Sequence, residues 1–239
     1  MNRAGIWSAV FLGICLSHAC KKDEAPPKLP AFFQVPEGIK EHFVFYPGSY
    51  WTLIDEDRNW TDSIYIKSVS QDTIAILHPG NPRDTLTVTE RITVRYYSPF
   101  FDSDFIYRSA LDVQAWIRNP AGPHFTMQRA VRNAGRQRPF GTVFYWPLPV
   151  NRPLITEVGS FSPFIQEPPA AVVQKNGITL PQASRVNISN DVSEFGHNME
   201  HLFVPGWGPV TRSYTTLNYQ WTLLRGRTID AAGDTLNFP

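Results

Sequence analysis

Apolar and polar side chains alternate most regularly between residues 85 and 97. One face of this segment carries Leu86, Val88, Ile92, Val94 and Tyr96, while threonines and arginines dominate the other. A period of two with many β-branched residues predicts a long, half-buried strand. Glu90 interrupts the apolar face, so we expect a bulge, a strand break or a buried partner at that position.

The same pattern recurs in shorter runs, at residues 50–54, 63–69, 73–77, 112–118, 142–146, 185–189 and 219–224. Turn-forming residues separate these runs, at 55–59, 78–82, 119–122 and 176–177. Strands joined by short turns, with no strong helical period among them, predict a single antiparallel all-β domain over residues 37–239. Periodicity alone leaves two architectures open, a curved barrel-like sheet and a β-sandwich.

The first residues have a different pattern. Arg3 precedes an apolar run over residues 4–16, and Ser17, His18 and Ala19 lead into Cys20. A membrane-spanning helix needs about 20 apolar residues, which is more than this run contains. The order of charge, apolar run and cysteine instead predicts a signal peptide over residues 1–19, with a lipid attached to the thiol of Cys20. Prolines within residues 20–36 predict an extended tether between the lipid and the domain.

Charge and cysteine content limit the chemistry. The chain has 22 basic and 21 acidic residues, and removal of Arg3 with the signal peptide leaves no net formal charge. A neutral exported chain lacks the basic surface that nucleic acid requires. Cys15 leaves with the signal peptide and Cys20 is acylated, so no thiol is left for a disulfide, a nucleophile or a metal. We expect no cofactor.

Four arginines make one local basic cluster, at Arg129, Arg132, Arg136 and Arg138. Anionic lipid or glycan headgroups are one possible partner for such a cluster. Charge runs are more often solvated, so we expect a loop exposed to water.

The start of the mature chain, Cys20-Lys21-Lys22-Asp23-Glu24, resembles that of lipoproteins from the Bacteroidota. The segments 45–51 and 205–210 are similar to landmarks of uncharacterised β-rich lipoproteins of that group. The resemblance implies an outer-membrane lipoprotein displayed on the cell surface, although attachment facing the periplasm and a simple solvated spacer both stay open. It implies no activity and no catalytic residues.

The same resemblance implies O-glycosylation at Asp-Ser/Thr-aliphatic sequences. The acceptors would be Ser63, Thr73, Thr85 and Thr235. The alternative is that an Asp-Thr pair opens a strand after a turn, because its short side chains bond the local backbone.

Glu194, His197 and His201 form the best candidate metal site, because the two histidines share one face of a strand or helix. No His-Glu-x-x-His motif is present, and Gly196 would interrupt a helix. The alternative is a set of polar residues where a loop meets a strand. Residues 55–59 begin like a calcium loop, but Trp60 and Ile66 occupy positions that need glycine and glutamate, so we expect a charged hairpin turn.

Aromatic residues are dense between Tyr96 and Tyr107. Tyr97, Phe101 and Tyr107 are candidates for stacking on sugar rings, and the alternative is that these rings are core. We therefore expect a non-catalytic surface module that binds an extracellular ligand such as a carbohydrate or a surface protein. The alternative is a cell-envelope hydrolase with a carboxylate or histidine-metal site, although no Gly-x-Ser-x-Gly sequence marks a nucleophile.

Overall fold

The computed structural model describes residues 31–78, 80–113, 123–138, 140–147, 150–155, 161–167, 170–175, 178–191 and 197–238. Cys20 and Glu194 therefore lie outside the described residues. The described part has one helix, α1 (Glu37–Phe43). Its strands are β1 (Ala31–Phe33), β2 (Tyr50–Asp55), β3 (Trp60–His78), β4 (Asn81–Ser98), β5 (Ser103–Leu111), β6 (Phe125–Asn133), β7 (Arg136–Gln137), β8 (Gly141–Trp146), β9 (Val150–Ile155), β10 (Phe161–Gln166), β11 (Ala170–Lys175), β12 (Ile178–Asp191), β13 (His197–Val204), β14 (Gly208–Tyr214), β15 (Tyr219–Ile229) and β16 (Thr235–Phe238).

All of these strands belong to one antiparallel sheet. Neighbours follow the order β7-β6-β5-β4-β3-β2-β15-β14-β13-β12-β10-β9, while β1 joins β4, β8 joins β6, β11 joins β12 and β16 joins β15. The ladders of the described residues do not close this sheet into a barrel. The prediction of a single antiparallel all-β domain is confirmed, and a continuous sheet, not a pair of packed sheets, encloses the core.

Burial follows the alternation read from the sequence from Glu90 to Tyr96, but at residues 86–89 the buried side chains are Thr87 and Thr89 and not the predicted Leu86 and Val88. The segment 85–97 lies within β4, where Ile92, Val94 and Tyr96 are buried. The runs at 63–69 and 73–77 are parts of one long strand, β3. The run at 112–118 was not confirmed, because β5 ends at Leu111 and residues 114–118 lie outside the described part.

Helix α1 fills the interior of the curved sheet. Phe43 is fully buried, and its ring centroid lies 4.8 Å from that of Phe203, 5.2 Å from that of Phe144 and 5.6 Å from that of Tyr107. These rings come from β13, β8 and β5, so strands that are distant in the sheet order converge on one helical side chain. An ideal Cβ at Gly38 would lie 2.3 Å from the Trp146 ring, which explains a glycine inside the helix.

The tether is shorter than the sequence predicts. Strand β1 pairs with β4, and Val35 is only 2% exposed. The backbone N–H of Val35 donates to Glu90 Oε2 at 2.7 Å, and the Gln71 amide donates to Glu90 Oε1. Residues 31–36 are therefore part of the domain, and the buried partner expected for Glu90 is present.

The side chain of Gln166 joins two strands, β10 and β8, that lie near opposite ends of the sheet order. The Gln166 amide Nε2 donates to the Tyr145 carbonyl at 2.9 Å, and the Tyr145 N–H donates to Gln166 Oε1 at 2.8 Å. Gln166 ends β10 and Tyr145 lies in β8, so one amide group reproduces a pair of ladder bonds across the open seam. Both residues are 2% exposed.

Replacing Gln166 by leucine keeps the volume and removes both bonds across the seam. Each buried hydrogen bond contributes about 1 kcal/mol, so we expect the free energy of unfolding to fall by about 2–3 kcal/mol. Urea unfolding measures this change. Gln220→Leu, at an exposed position, is the matched control and should change stability by less than about 0.5 kcal/mol. Equal stability of both variants would contradict a role for Gln166 in holding the seam.

Candidate functional site

Turns that follow neighbouring strands meet at one end of the sheet. The order β4-β3-β2-β15-β14 is antiparallel, so residues 56–59, 99–102 and 215–218 lie at the same end. Four side chains from this end form a cluster that we call the aromatic rim: Arg58, Trp60, Phe100 and Tyr219.

The aromatic rim combines exposed rings with one cation. The Trp60 ring centroid lies 5.4 Å from that of Phe100 and 5.8 Å from that of Tyr219. The guanidinium carbon of Arg58 lies 4.7 Å from the Tyr219 ring centroid and 5.6 Å from that of Trp60. Trp60 is 39% exposed and Phe100 is 41% exposed. Adjacent exposed rings of this kind make the rim the candidate surface for contact with a partner or ligand.

Asp55 fixes the turn that carries Arg58. Asp55 is 1% exposed, and its carboxylate accepts from the Arg58 backbone N–H at 3.2 Å and from Arg58 Nη1 at 3.3 Å. It also accepts from the Gln220 N–H at 3.3 Å, which ties the turn to β15. Arg58 Nη1 donates in addition to the Asn218 carbonyl at 2.8 Å. The expected charged hairpin turn is therefore present, and its aspartate orients the cation of the rim.

A second buried aspartate fixes the turn that carries Phe100. Asp62 accepts from the Ser98 hydroxyl at 2.6 Å and from the Phe100 N–H at 3.2 Å. Ser98 Oγ in turn accepts from the Phe101 N–H at 3.3 Å. The Phe100 backbone is thus held from two sides, and its ring is presented in a defined position.

The aromatic rim is the exposed end of an aromatic core. The Phe100 ring lies 4.8 Å from the buried Trp221, and half-buried Phe101 lies 6.1 Å from it. Beneath them, the guanidinium carbon of buried Arg212 lies 4.7 Å from the Phe101 ring, and Arg212 Nη2 lies 3.6 Å from Asp62 Oδ2. Phe101 therefore supports the rim from below more than it offers a face to a ligand.

The other aromatic candidates lie elsewhere. Tyr107 is 5% exposed and packs against Tyr96 at 4.8 Å, which corrects its assignment to a ligand surface, because its side chain faces inward from β5. Tyr97 lies on the outer face of the sheet, 5.4 Å from Tyr65. Its hydroxyl donates to Asp102 at 2.7 Å, and this bond raises the pKa of Tyr97 to about 12.

Among the proposed metal ligands, only the side chain of His201 belongs to the described residues. His201 is buried, and its Nε2 accepts from Arg129 Nη1 at 3.1 Å, so a cation already occupies the direction from which a metal would bind. The described residues contain no group of three or more histidine, cysteine, aspartate or glutamate side chains placed to hold a metal. Glu194 and the side chain of His197 lie outside the described part. Arg129, predicted in a solvated loop, is fully buried in β6.

Three of the candidate glycosylation residues are on the surface. Ser63, Thr73 and Thr235 are exposed, whereas Thr85 is half-buried. Asp62, which precedes Ser63, is buried against Ser98. O-glycosylation stays a prediction.

No protein-family model matches this chain, and no curated protein or solved structure matches it. Within the described residues, no helix has the length and apolar character needed to cross a membrane.

Sequence reasoning missed Trp60, Tyr219 and Arg58 as site residues. A signal was present, because Trp60 shares the two-residue period of Ile64 and Ile66, which face the core. Tyr219 shares the period of Trp221 and Leu223 in the same way. Aromatic residues that extend a core row to the first position of a strand are expected at the open end of a curved sheet.

Burial of His201 predicts how stability depends on pH. Burial, followed by the positive charges of Arg129 and Arg212, holds the pKa of His201 well below 6.5. Burial also lowers the pKa of His42 to about 4, partly offset by its bond to the Gly38 carbonyl. Below pH 6.5 the unfolded chain therefore binds more protons than the folded chain. The two histidines leave the free energy of unfolding unchanged above that pH and lower it as the pH falls further.

Comparison of the wild type with His201→Gln isolates this contribution. Below about pH 6, the wild type should lose up to about 1.4 kcal/mol more per pH unit than the variant, because one additional proton is taken up on unfolding. Urea unfolding between about pH 8 and about pH 5 measures both slopes. Parallel slopes would show that His201 is not neutral in the folded protein.

Proposed function

We propose that this protein is an exported lipoprotein of the outer membrane that uses the aromatic rim to bind an extracellular carbohydrate without catalysis. The observation that carries the proposal is the pair of exposed rings, Trp60 and Phe100, at one end of the domain. The anchoring part of the proposal is supported by the sequence around Cys20.

The chemistry of the rim suits a sugar. The faces of pyranose rings carry C–H groups that pack on aromatic rings, and tryptophan provides the largest such surface. The described contacts of Arg58 engage Nη1, so Nε and Nη2 supply donors for sugar hydroxyl groups. Apolar rings with a few oriented donors are typical of small-ligand sites.

Fixed turns favour binding by a rim of this kind. Asp55 and Asp62 hold the two turns before any ligand arrives. Little conformational entropy is then lost when a ligand orders the site. Tryptophan, tyrosine and arginine are also enriched where proteins bind proteins, so a surface protein is the alternative partner.

The lipid should be attached at Cys20. Only a thiol forms the thioether, so Cys20→Ala should lose the acyl mass and appear in the soluble fraction of cells. Mass spectrometry and membrane fractionation measure these outcomes. Cys15→Ala, within the predicted signal peptide, should retain the lipid. Continued membrane attachment of Cys20→Ala would refute lipid anchoring through this residue.

Trp60→Ala should weaken glycan binding about tenfold, since loss of one stacked ring costs about 1.4 kcal/mol. Affinity electrophoresis against neutral and acidic polysaccharides identifies a ligand, and calorimetry gives the affinity. Tyr65→Ala is the matched control, because Tyr65 is also 39% exposed and lies on the same strand but on the outer face.

The control also separates the two aromatic surfaces. If Tyr65→Ala loses glycan binding and Trp60→Ala binds normally, the binding site is the Tyr65 and Tyr97 pair, and the proposal that the rim binds glycan is refuted. Binding only to proteins, with no polysaccharide bound, would refute the carbohydrate assignment while leaving the lipid anchor standing.

A further inference from the structure

A groove of about 560 Å³ lies at the end of the sheet opposite the aromatic rim. Its walls come from helix α1, from the inner face of β3 and β4, and from the β15–β16 hairpin. This volume is within the range of sites that bind a ligand or a peptide segment.

Carboxylates dominate the walls of this groove. The acidic residues that line it are Glu37, Glu41, Glu90, Asp230 and Asp234. Lys40 is the one basic residue among the described lining residues, and its Nζ lies 3.9 Å from both Glu37 Oε2 and Glu90 Oε2. The groove therefore carries a negative charge that Lys40 only partly offsets.

Among the described strands, none pairs with one edge of β3 beside the groove. Strand β2 pairs only with the part of β3 from Trp60 to Tyr65. From Ser68 onwards, β3 pairs with β4 alone among the described strands. Val69 and Gln71 lie on this part of β3 and line the groove. Backbone groups along an unpaired strand edge are a template for another extended chain.

We propose that this groove binds an extended, basic peptide segment of another protein, which adds as a strand to the free edge of β3. Main-chain hydrogen bonds to the edge would hold the segment. Every second side chain of an extended peptide faces the same side, so alternate lysines or arginines would meet the exposed Glu37 and Glu41.

Electrostatic repulsion disfavours a second copy of this chain as the occupant of the groove. A second copy of the same β3 edge would bring another acidic groove to this surface. Like charges placed opposite each other disfavour such pairing. A basic segment removes that repulsion and supplies partners for the carboxylates.

Synthetic peptides test strand addition directly. The probe is a fluorescent peptide of about eight residues that alternates threonine with lysine, a length typical of a strand. Two further peptides carry backbone N-methyl groups, one at every lysine and the other at every threonine. N–H groups of alternate residues point to opposite edges of a strand, so only one methylated peptide loses its bonds to β3.

Fluorescence anisotropy should show binding of the parent peptide and a loss of at least about tenfold in just one methylated peptide, because several main-chain bonds are removed. Hydrogen exchange should show added protection confined to residues 68–73. Equal affinity of all three peptides, equal losses in both methylated peptides, or no binding of the parent would each overturn the proposal.

Charge reversal on the protein tests the groove itself. Glu37→Lys combined with Glu41→Lys changes two exposed residues of α1 and should weaken binding of the parent peptide at least about tenfold. Glu56→Lys combined with Asp57→Lys makes the same net change at the rim end and should leave the affinity unchanged. If both pairs of substitutions weaken peptide binding equally, the effect comes from the net charge of the protein alone, and the groove is not the binding site.

Discussion

Two hydrogen bonds made by one amide join the two ends of the sheet around the core of this domain. An open sheet leaves two edges, and enclosing a core requires those edges to be held face to face. Gln166 does this through the Tyr145 backbone, in place of a ladder between β8 and β10. The packing of Phe43 between Phe144 and Phe203 requires the same closure, because these two rings belong to opposite halves of the sheet.

Strands were predictable where the pattern is local. Burial alternates from Glu90 to Tyr96 of β4 as the sequence indicates, since successive side chains of a strand face opposite sides. Helix α1 was not predictable, because seven residues are too few to show a helical period, and its burial depends on partners from β5, β8 and β13. Closure of the sheet through Gln166 is likewise a contact between distant strands that no local pattern records.

The site was only partly predictable for the same reason. The aromatic density around Phe101 is visible in the sequence, but the inward direction of Tyr107 depends on the register of β5 with β4. Trp60 and Tyr219 meet only because β2 lies between β3 and β15. Arg129 is buried because the sheet curves until β6 faces β13, where His201 accepts from it.

The length of strand β3 also determines how far the aromatic rim lies from Phe33. Thr89 pairs with Ile74 on β3, and the Thr89 hydroxyl donates to the Phe33 carbonyl, close to where the chain joins the domain. From Ile74 back to Trp60, at about 3.3 Å per residue, the strand spans up to about 45 Å. Strand β3 therefore separates the rings of Trp60 and Phe100 from Phe33 by up to several Debye lengths at physiological ionic strength. Charged groups near Phe33 are then screened by salt from a ligand that is held at the rim.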